Sequence, residues 1–466
     1  MGNKRRLEQL QRRLQQIVGH DFVFSCPEDT IPYSFDATYA EGRPEIVVLP
    51  GTAAEVAAVL AAAYEEEVPL TPRGAGTGLS GGALAVGGVL LVLTRMHRIL
   101  ELNKQSLYAV VEPGVVTAEL QRAAARKRLF YPPDPSSAEV CTIGGNIAEN
   151  AGGAHGFKYG VTRDYLLGLE FALPSGELIT TGGYTVKNVT GYDLSRLLCG
   201  SEGTLGVITK AVLRLIPAPE ARRTILAVFA AFEAAAEAVS RIIDAGVVPA
   251  AFEIMDRAAV RCVERYLRLG LPANTAAFIV AETDGYEDTA ARLAREVAAL
   301  CRKAGAQEVR VAQTSAEAEA FWRARRSVSA ALARLKPFKV GEDIAVPLGR
   351  MPELVNRLQA IREQENIDMV VFGHAADGNL HPNIIANPRD GEEMKRVRRA
   401  MVRIFDAALE LGGTLSGEHG IGTLKAPYLH RALSPAAADL MQRIKAVFDP
   451  KGLLNPGKIW ADRDET

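Results

Sequence analysis

Glycine-rich loops recur four times in the first half of the chain, and they restrict the fold more than any other sequence feature. They lie at 74–82, 142–153, 182–194 and 200–209. Glycine lets a backbone approach a ligand closely and direct several N–H groups at a phosphate. Tight turns between strands explain any one loop equally well. The four loops together favour a large, extended cofactor that carries phosphate.

The first loop, RGAGTGLSGG at 73–82, contains Gly76, Gly78 and Gly81 in a G-x-G-x-x-G pattern and follows a strand–helix–strand start. In a Rossmann site this pattern must open a helix whose N-terminus holds the pyrophosphate. Here further glycines and then the apolar strand VLLVL follow. The sequence therefore predicts no nicotinamide-binding Rossmann domain.

A domain boundary is predicted at IPAPE (216–220), where two prolines interrupt the pattern. Beyond it, strand-like runs alternate with helices, which predicts a sheet covered by helices. The predicted organisation is an N-terminal helical segment at 1–39, a cofactor domain at 40–218, a substrate or cap domain at 219–425, and a C-terminal segment at 426–466 that packs back on the cofactor domain.

Charge and cysteine content exclude several classes of protein. Lys plus Arg is 54 and Asp plus Glu is 55, so a net charge of -1 gives no electrostatic reason to bind nucleic acid or an anionic membrane. The five cysteines are widely spaced and form no C-x-x-C pair, which argues against a disulfide framework, a cysteine-ligated zinc site or an iron–sulfur cluster.

The N-terminus predicts an amphipathic helix, because Leu7, Leu10, Leu14 and Ile17 recur at helical spacing. No apolar core follows the basic start, so a signal peptide is not expected. No apolar run approaches the ~20 residues of a membrane span. These features predict a soluble, cytoplasmic protein.

Five motifs together resemble the FAD-binding domain of the vanillyl-alcohol oxidase/p-cresol methylhydroxylase flavoproteins. They are RGAGTGLSGG, PPDPSS (132–137), TIGGNIAENAGG, KNVTGYDL and GSEGTLGVIT, and they cover most of residues 40–217. Within that family the whole chain resembles the glycolate oxidase D subunit and the FAD-linked D-lactate and D-2-hydroxyglutarate dehydrogenases. The resemblance implies an α+β fold, with an FAD-binding domain of the p-cresol methylhydroxylase type and an α/β cap domain.

The resemblance also implies which residues bind FAD, with the 73–82 loop at the pyrophosphate and the 132–153 stretch near the flavin ring. Some relatives attach the flavin covalently through a histidine in the first loop, where this chain has Thr77 and Gly78, so non-covalent FAD is expected. The predicted FAD-binding residues are Arg73, Gly74, Gly76, Thr77, Gly78, Ser80, Pro133, Asp134, Thr142, Gly145, Asn146, Gly152, Glu202 and Ile208.

A candidate metal site lies in MVVFGHAADGNLHPNII (369–385), where an Asp-Gly pair separates two apolar runs. Asp-Gly is a strong signal for a two-residue hairpin turn. With that turn, His374 and His381 become direct cross-strand neighbours that could share one divalent cation. Asn383 lies two residues further on the same face and is a candidate catalytic residue. Two histidines seven residues apart also occur by chance.

A second cluster, GGTLSGEHGIG (412–422), places Glu418 and His419 in a glycine-rich segment unsuited to a regular helix or strand. A carboxylate and an imidazole on such a loop are typical of a functional site. The resemblance implies that His374, His381 and Glu418 bind the metal and that His419 is the catalytic base. Zinc, manganese and iron all suit this ligand set.

The substrate carboxylate of a 2-hydroxy acid needs a cation. The resembling family has an arginine three residues after a tryptophan here, which implies Arg325 after Trp322; a solvated helix face is the alternative. Lys339 is a further candidate, although its spacing to Asp343 departs from the 2-hydroxyglutarate enzymes and weighs against that substrate.

The resulting hypothesis is an FAD-dependent enzyme that oxidises a small (R)-2-hydroxy acid, glycolate or D-lactate, to the 2-oxo acid. The metal binds the substrate, His419 takes the hydroxyl proton, and the hydride passes to flavin N5. Electrons then pass to a partner subunit or an electron-transferring flavoprotein. The alternatives are a D-2-hydroxyglutarate dehydrogenase, an FAD-containing transferase of the ether-lipid synthase type, and a non-catalytic flavin subunit. A homodimer is left open.

Overall fold

The computed structural model describes residues 2–268, 270–272, 274–336 and 338–460, which form two compact units. The first unit contains the residues up to Ala151, Val161–Ala218 and the residues from Glu418 onward. The second unit contains Gly152–Gly160 and Pro219–Gly417. Residues 1 and 461–466 of the predicted terminal segments lie outside the described residues.

The first unit is built on three sheets. A four-stranded sheet has the order β1-β2-β4-β3, a five-stranded antiparallel sheet has the order β5-β6-β10-β8-β9, and β11 pairs with β7. The strands are β1 (Val23–Phe24), β2 (Ile46–Val48), β3 (Leu70–Arg73), β4 (Val89–Val92), β5 (Ile99–Asn103), β6 (Tyr108–Val111), β7 (Leu129–Phe130), β8 (Leu166–Ala172), β9 (Leu178–Gly182), β10 (Val207–Arg214) and β11 (Ile216–Pro217).

Short helices connect and cover these sheets. The α-helices up to the end of β11 are α1 (Gly2–Val18), α2 (Pro27–Thr30), α3 (Ala53–Glu65), α4 (Thr117–Arg126), α5 (Ile143–Glu149), α6 (Gly156–Tyr159), α7 (Thr162–Tyr165) and α8 (Leu194–Leu198); of these, α6 belongs to the second unit. Strand β3 passes into the first glycine loop without an intervening helix, as the sequence predicts.

Helix α1 packs into the core of the first unit. Leu10 and Leu14 are fully buried and share one apolar cluster with β2, β4 and α3. The amphipathic spacing of the sequence therefore reflects burial against helix α3. In the part of the chain that the structure describes, no helix is long and apolar enough to cross a membrane.

The C-terminal part returns to the first unit at Glu418, whereas the predicted boundary lay after residue 425. The backbone N–H groups of Ile421 and Gly422 donate to the buried carboxylate of Glu202, 2.8 and 2.6 Å away, which ties this stretch to the first unit. Further on, Leu454 forms a β-bridge with Leu70, the first residue of β3.

The second unit has one eight-stranded sheet. Its order is β15-β12-β14-β13-β18-β19-β16, with β17 also paired to β19, and its strand pairs are antiparallel. The strands are β12 (Ala221–Phe229), β13 (Ala251–Asp256), β14 (Ala277–Gly285), β15 (Glu308–Val311), β16 (Phe338–Gly341), β17 (Ile344–Ala345), β18 (Asp368–His374) and β19 (Asn379–Ala386).

Helices pack against this sheet, as the alternating pattern predicts. They are α9 (Phe232–Asp244), α10 (Arg257–Leu267), α11 (Glu287–Lys303), α12 (Ser315–Arg326), α13 (Val328–Leu332), α14 (Met351–Glu365) and α15 (Gly391–Glu410); α16 (Pro435–Phe448) follows in the first unit. The predicted α+β class with a helix-covered sheet is confirmed.

Candidate active site

The first glycine loop follows β3 in a conformation that needs glycine. Gly76 and Gly81 have φ angles of +71° and +80°, a region that disfavours other residues. A Cβ atom on Gly74 would lie 2.3 Å from Oγ1 of Thr142, so this loop packs directly on the start of α5. Two sequence-predicted cofactor segments therefore meet within the first unit.

The loop also presents backbone donors. Among the described residues, no protein acceptor is found for the N–H groups of residues 75–81. Consecutive N–H groups without a protein acceptor are suited to bind an anion such as a pyrophosphate. The loop therefore fits the phosphate-bearing cofactor that the sequence predicts.

Helix α5 belongs to the second of the predicted cofactor segments. Thr142 is its N-cap and accepts a hydrogen bond from Gly145 N at 3.4 Å. The buried side chain of Asn146 donates to Thr117 Oγ1 at 2.7 Å, which fixes the first turn of the helix. The Pro133 carbonyl accepts a hydrogen bond from Gln121.

The remaining predicted cofactor residues differ in burial and in the part of the fold to which they belong. The guanidinium of Arg73 is buried and donates to the Phe35 carbonyl at 2.7 Å. Ile208 belongs to the apolar core beside β10, so its side chain serves packing. Gly152 lies in the segment Gly152–Gly160, which belongs to the second unit. Thr77, Gly78 and Ser80 lie in the first loop, and Asp134 lies in the 132–137 segment.

Glu202, a predicted cofactor residue, lies beside the first loop together with Glu149, which was not anticipated from the sequence. Burial and the negative charge of Glu202 raise the pKa of Glu149 well above its usual value, and burial also raises the pKa of Glu202. A Cβ atom on Gly82 would lie 3.1 Å from Oε1 of Glu149. The glycine at this position leaves room for that carboxyl group.

In the second unit, both predicted histidines lie on the β18–β19 hairpin, but the predicted register is wrong. His374 pairs with Asn379, and Phe372 pairs with His381. The strands are joined by a four-residue turn, consisting of a 3-10 turn at Ala375–Asp377 followed by a left-handed glycine, and not by a two-residue Asp-Gly turn.

The turn ends at a position that requires glycine. Gly378 has a φ of +77°, and a Cβ atom on it would lie 2.0 Å from the Val346 carbonyl oxygen. The shifted register makes His374 and His381 diagonal neighbours on one face, which still allows contact between long side chains. Their ring centroids are 5.2 Å apart and their planes are perpendicular.

A buried ion pair lies beside His374. Glu253 on β13 accepts hydrogen bonds from Nδ1 of His374 and from Nε of Arg325, the latter at 2.5 Å. Burial opposes ionisation of this carboxyl group, but the charges of Arg325 and His374 lower the pKa of Glu253 to about 2. Arg325, the predicted substrate-binding residue, is therefore fixed by a carboxylate and lies 4.7 Å from the centroid of the Phe372 ring.

Asp343 contacts both His381 and the last residues of the second unit, Ser416 and Gly417. Its Oδ1 lies 3.5 Å from Nδ1 of His381, and its Oδ2 accepts hydrogen bonds from Ser416 Oγ at 2.8 Å and Gly417 N at 2.9 Å. Glu418 follows Gly417 by one peptide bond. The buried aspartate therefore holds the residue from which Glu418 extends.

Two other candidate catalytic residues, Asn383 and Lys339, lie on or next to the same hairpin. Asn383 is buried on β19, and its amide donates to the His381 carbonyl at 2.8 Å. Lys339 pairs with Ile385 of β19, and burial lowers the pKa of its ammonium group. In the first unit, Nε2 of His419 lies 3.9 Å from a carboxylate oxygen of Glu418.

Sequence reasoning missed Glu253 and Asp343 as parts of this site. Glu253 is a charged residue within the otherwise apolar segment AFEIM, and that exception was an available signal. For Asp343 the segment GED offered no distinctive pattern, because its partners come from β19 and from residues 416–417.

Comparison with known proteins identifies the family. A model of the FAD binding domain matches residues 44–182, and a model of the FAD linked oxidases, C-terminal domain, matches residues 218–459. Glycolate oxidase subunit GlcD of Bacillus subtilis (strain 168) is 44% identical over 97% of this chain and 97% of its own length. D-lactate dehydrogenase of Anaerostipes hadrus is 36% identical over 91% of each chain.

The solved structure of p-cresol methylhydroxylase with substrate bound matches with a TM-score of 0.81 at 16% identity, over 99% of this chain and 98% of that one, which shows a shared fold. The fold and the glycine loops define a flavin-dependent oxidoreductase. The chain belongs to the FAD-linked oxidases. The predictions of FAD as cofactor and of an FAD-dependent enzyme are confirmed.

Proposed function

We propose that this flavoenzyme oxidises a small (R)-2-hydroxy acid, glycolate or D-lactate, to the corresponding 2-oxo acid. The names of its relatives, a glycolate oxidase subunit and a D-lactate dehydrogenase, support this substrate class. The observation that carries the proposal is the pair of His374 and His381, which is linked through buried Glu253 to the cation of Arg325. Such a site offers metal ligands on the sheet and, beside them, a carboxylate-binding charge on helix α12.

We assign FAD binding to residues 40–218 and substrate binding to 219–425. FAD would be held non-covalently by the 73–82 loop and the start of α5, where backbone donors and glycines suit a pyrophosphate. When bound, it supplies the acceptor for the hydride that leaves the substrate α-carbon. The described residues of 426–460 complete the FAD domain.

A divalent metal would be held by His374, His381 and Glu418. Two imidazoles and one carboxylate leave coordination positions open for substrate, and the metal would supply a Lewis acid for its oxygens. Zinc, manganese and iron all suit the donor set. The hydrogen bond from Gly417 N to Asp343 supports this assignment, because it holds the backbone one residue before Glu418.

We assign two further roles to residues of this chain: acceptance of the substrate's hydroxyl proton and binding of its carboxylate. His419 takes the hydroxyl proton on a ring nitrogen, since a positioned imidazole can act as a general base. Arg325 attracts the substrate carboxylate, and its bond to Glu253 orients the guanidinium. Lys339 and Asn383 lie on neighbouring strands and complete the polar lining.

We assign the role of electron acceptor for the reduced flavin to a partner subunit or an electron-transferring flavoprotein. We place the protein in the cytoplasm. The name of the Bacillus relative, which is a subunit, supports a partner. The isolated chain should therefore reduce artificial dyes readily and should not form NADH.

An anaerobic substrate panel tests this function. Glycolate and D-lactate should bleach the flavin absorbance rapidly, and L-lactate should not, because it has the opposite configuration. Flavin reduction by D-2-hydroxyglutarate alone would move the substrate to that dicarboxylate. Turnover without an acceptor, together with a preference for a long-chain substrate, would instead indicate the ether-lipid type of transferase.

A further inference from the structure

A cavity of about 980 Å³ lies in the second unit, away from the histidine pair. It is bordered by helices α9, α10 and α14 and by strand β18. The part of β18 that lines it, residues 368–371, is not paired with β13. Glu253, Arg325, His374 and His381 are not among its described lining residues. Its volume is at the upper end of the range of about 300–1,000 Å³ for small-molecule sites.

Arginines form one wall of this cavity, which we call the arginine cavity. Arg257, Arg261 and Arg265 recur every four residues on α10 and therefore share one face of the helix. At 1.5 Å per residue they span about 12 Å along the helix axis. Arg362 contributes a fourth guanidinium from α14.

The four guanidinium groups make few compensating contacts within the protein, and the clearest is the attraction between Arg362 and the buried carboxyl group of Asp256. Across the described ranges, none of them forms a salt bridge or a side-chain hydrogen bond. Four acidic residues also line the cavity, namely Glu233, Asp256, Glu363 and Asp368. Asp368 is paired with Lys336 at 2.7 Å, Glu363 accepts a hydrogen bond from Gln359 at 3.3 Å, and Asp256 is buried as the N-cap of α10. The arginines therefore remain available to an anion.

The floor of the arginine cavity is apolar. Val355, Leu358 and Met369 are buried there. A ligand that fits the arginine wall and the apolar floor needs several negative charges and an apolar or aromatic part. Phosphate fits the planar fork of arginine in a bidentate manner and concentrates charge better than a single carboxylate does.

We propose that the arginine cavity binds a phosphorylated small molecule with an aromatic or apolar group, such as a nucleotide. The phosphates bind the stripe of Arg257, Arg261 and Arg265, and the apolar part lies against Leu358 and Met369. The site is separate from the oxidation site, so this proposal does not rest on the proposed substrate.

Calorimetric titration of the FAD-loaded full chain tests the proposal, since bound FAD blocks binding of nucleotides in its own site. The probes are ADP, pyrophosphate, adenosine and citrate. ADP should bind more tightly than the other three. Arg261→Glu should weaken ADP binding about tenfold or more, because one charge-assisted contact is replaced by repulsion. Arg295→Glu, an exposed arginine on α11 outside the cavity, should change the affinity less than about twofold.

Alkylation of Cys262, which lines the arginine cavity, gives a second measurement. ADP should slow this alkylation, as followed by peptide mass spectrometry, and should leave alkylation of exposed Cys26 unchanged. Equal affinities of ADP and adenosine would overturn the phosphate assignment. Equal affinities of ADP and citrate would do the same. The proposed site would be ruled out if ADP did not bind. It would also be ruled out if Arg261→Glu and Arg295→Glu lowered the ADP affinity equally.

Discussion

The carboxylate of Glu253 accepts a hydrogen bond from Nδ1 of His374 inside the second unit. This bond places the proton on Nδ1, and it therefore leaves Nε2 of the same ring as a lone-pair donor for a metal. Because Glu253 also binds Arg325, one buried carboxylate orients both a proposed ligand and a proposed substrate-binding cation.

Replacing Glu253 by glutamine should therefore weaken divalent metal binding by about 10–100-fold, the usual effect of losing an outer-shell carboxylate. Chelator competition on the FAD-loaded protein measures this affinity. Glu365→Gln is the matched control, because Glu365 is also buried in the second unit and paired with Arg399 and Arg403. An equal loss of metal in the two variants would contradict the assignment.

His381→Ala should reduce substrate oxidation by at least about a hundredfold, since it removes a proposed metal ligand. FAD content should stay normal, because the first glycine loop and helix α5 belong to the first unit, whereas His381 belongs to the second. Flavin absorbance and elemental analysis measure cofactor and metal on the same sample. The control is His430→Ala, an exposed histidine whose Nδ1 contacts the Pro427 carbonyl. Active enzyme without a divalent metal would refute the metal site.

His419→Asn should lower the rate of flavin reduction by about 10²–10⁴-fold, the usual contribution of a positioned base. Stopped-flow measurement under anaerobic conditions gives this rate. Metal and FAD content should remain normal. Loss of metal in this variant would make His419 a ligand, and near-normal reduction would exclude both roles.

Gly74→Val should produce protein that retains little FAD, because a Cβ atom at residue 74 would lie 2.3 Å from Thr142 Oγ1 and push the loop off α5. Gly183→Val is the control, since no atom lies within 4 Å of a Cβ built there. The ratio of FAD to protein measures the effect. In the wild type, acid or heat should release FAD into the supernatant; flavin that precipitates with the protein would contradict non-covalent binding.

Asp256→Asn should change how stability depends on pH. Asp256 caps α10 by accepting from Ala259 N at 2.8 Å, and burial raises its pKa to about 6. A folded-state pKa above the unfolded value means that the folded protein binds the proton more tightly. The wild type therefore loses free energy of unfolding as the pH rises from about 4 to 6.

Asparagine cannot ionise, so the variant does not lose this stability. The difference in free energy of unfolding, variant minus wild type, should therefore increase by roughly 1–3 kcal/mol between these two pH values. Denaturant titrations at several pH values measure the difference. Asp244→Asn, at an exposed position, should follow the wild type. A difference that stays constant with pH would show that Asp256 does not titrate there.

The cofactor class could be read from the chain because its signals are local. Gly76 and Gly81 adopt positive φ angles that glycine supplies at little cost, and these constraints belong to consecutive residues. The strand–helix alternation after residue 220 likewise depends on periodicity within short windows. For the same reason the sequence predicted that His374 and His381 belong to one hairpin, since Asp377 and Gly378 mark a turn between two apolar runs.

The register of that hairpin was beyond sequence reasoning, because an Asp-Gly pair fits a two-residue turn and also the end of the four-residue turn that the structure contains. The partner of His374 depends on tertiary structure. Glu253 lies 121 positions earlier in the chain and reaches the histidine only because β13 pairs with β18. The sequence thus determined which chemical groups this protein contains and which backbone turns they require. Only the folded sheet determined which carboxylate orients which imidazole, because such pairing depends on distance in space and not on spacing along the chain.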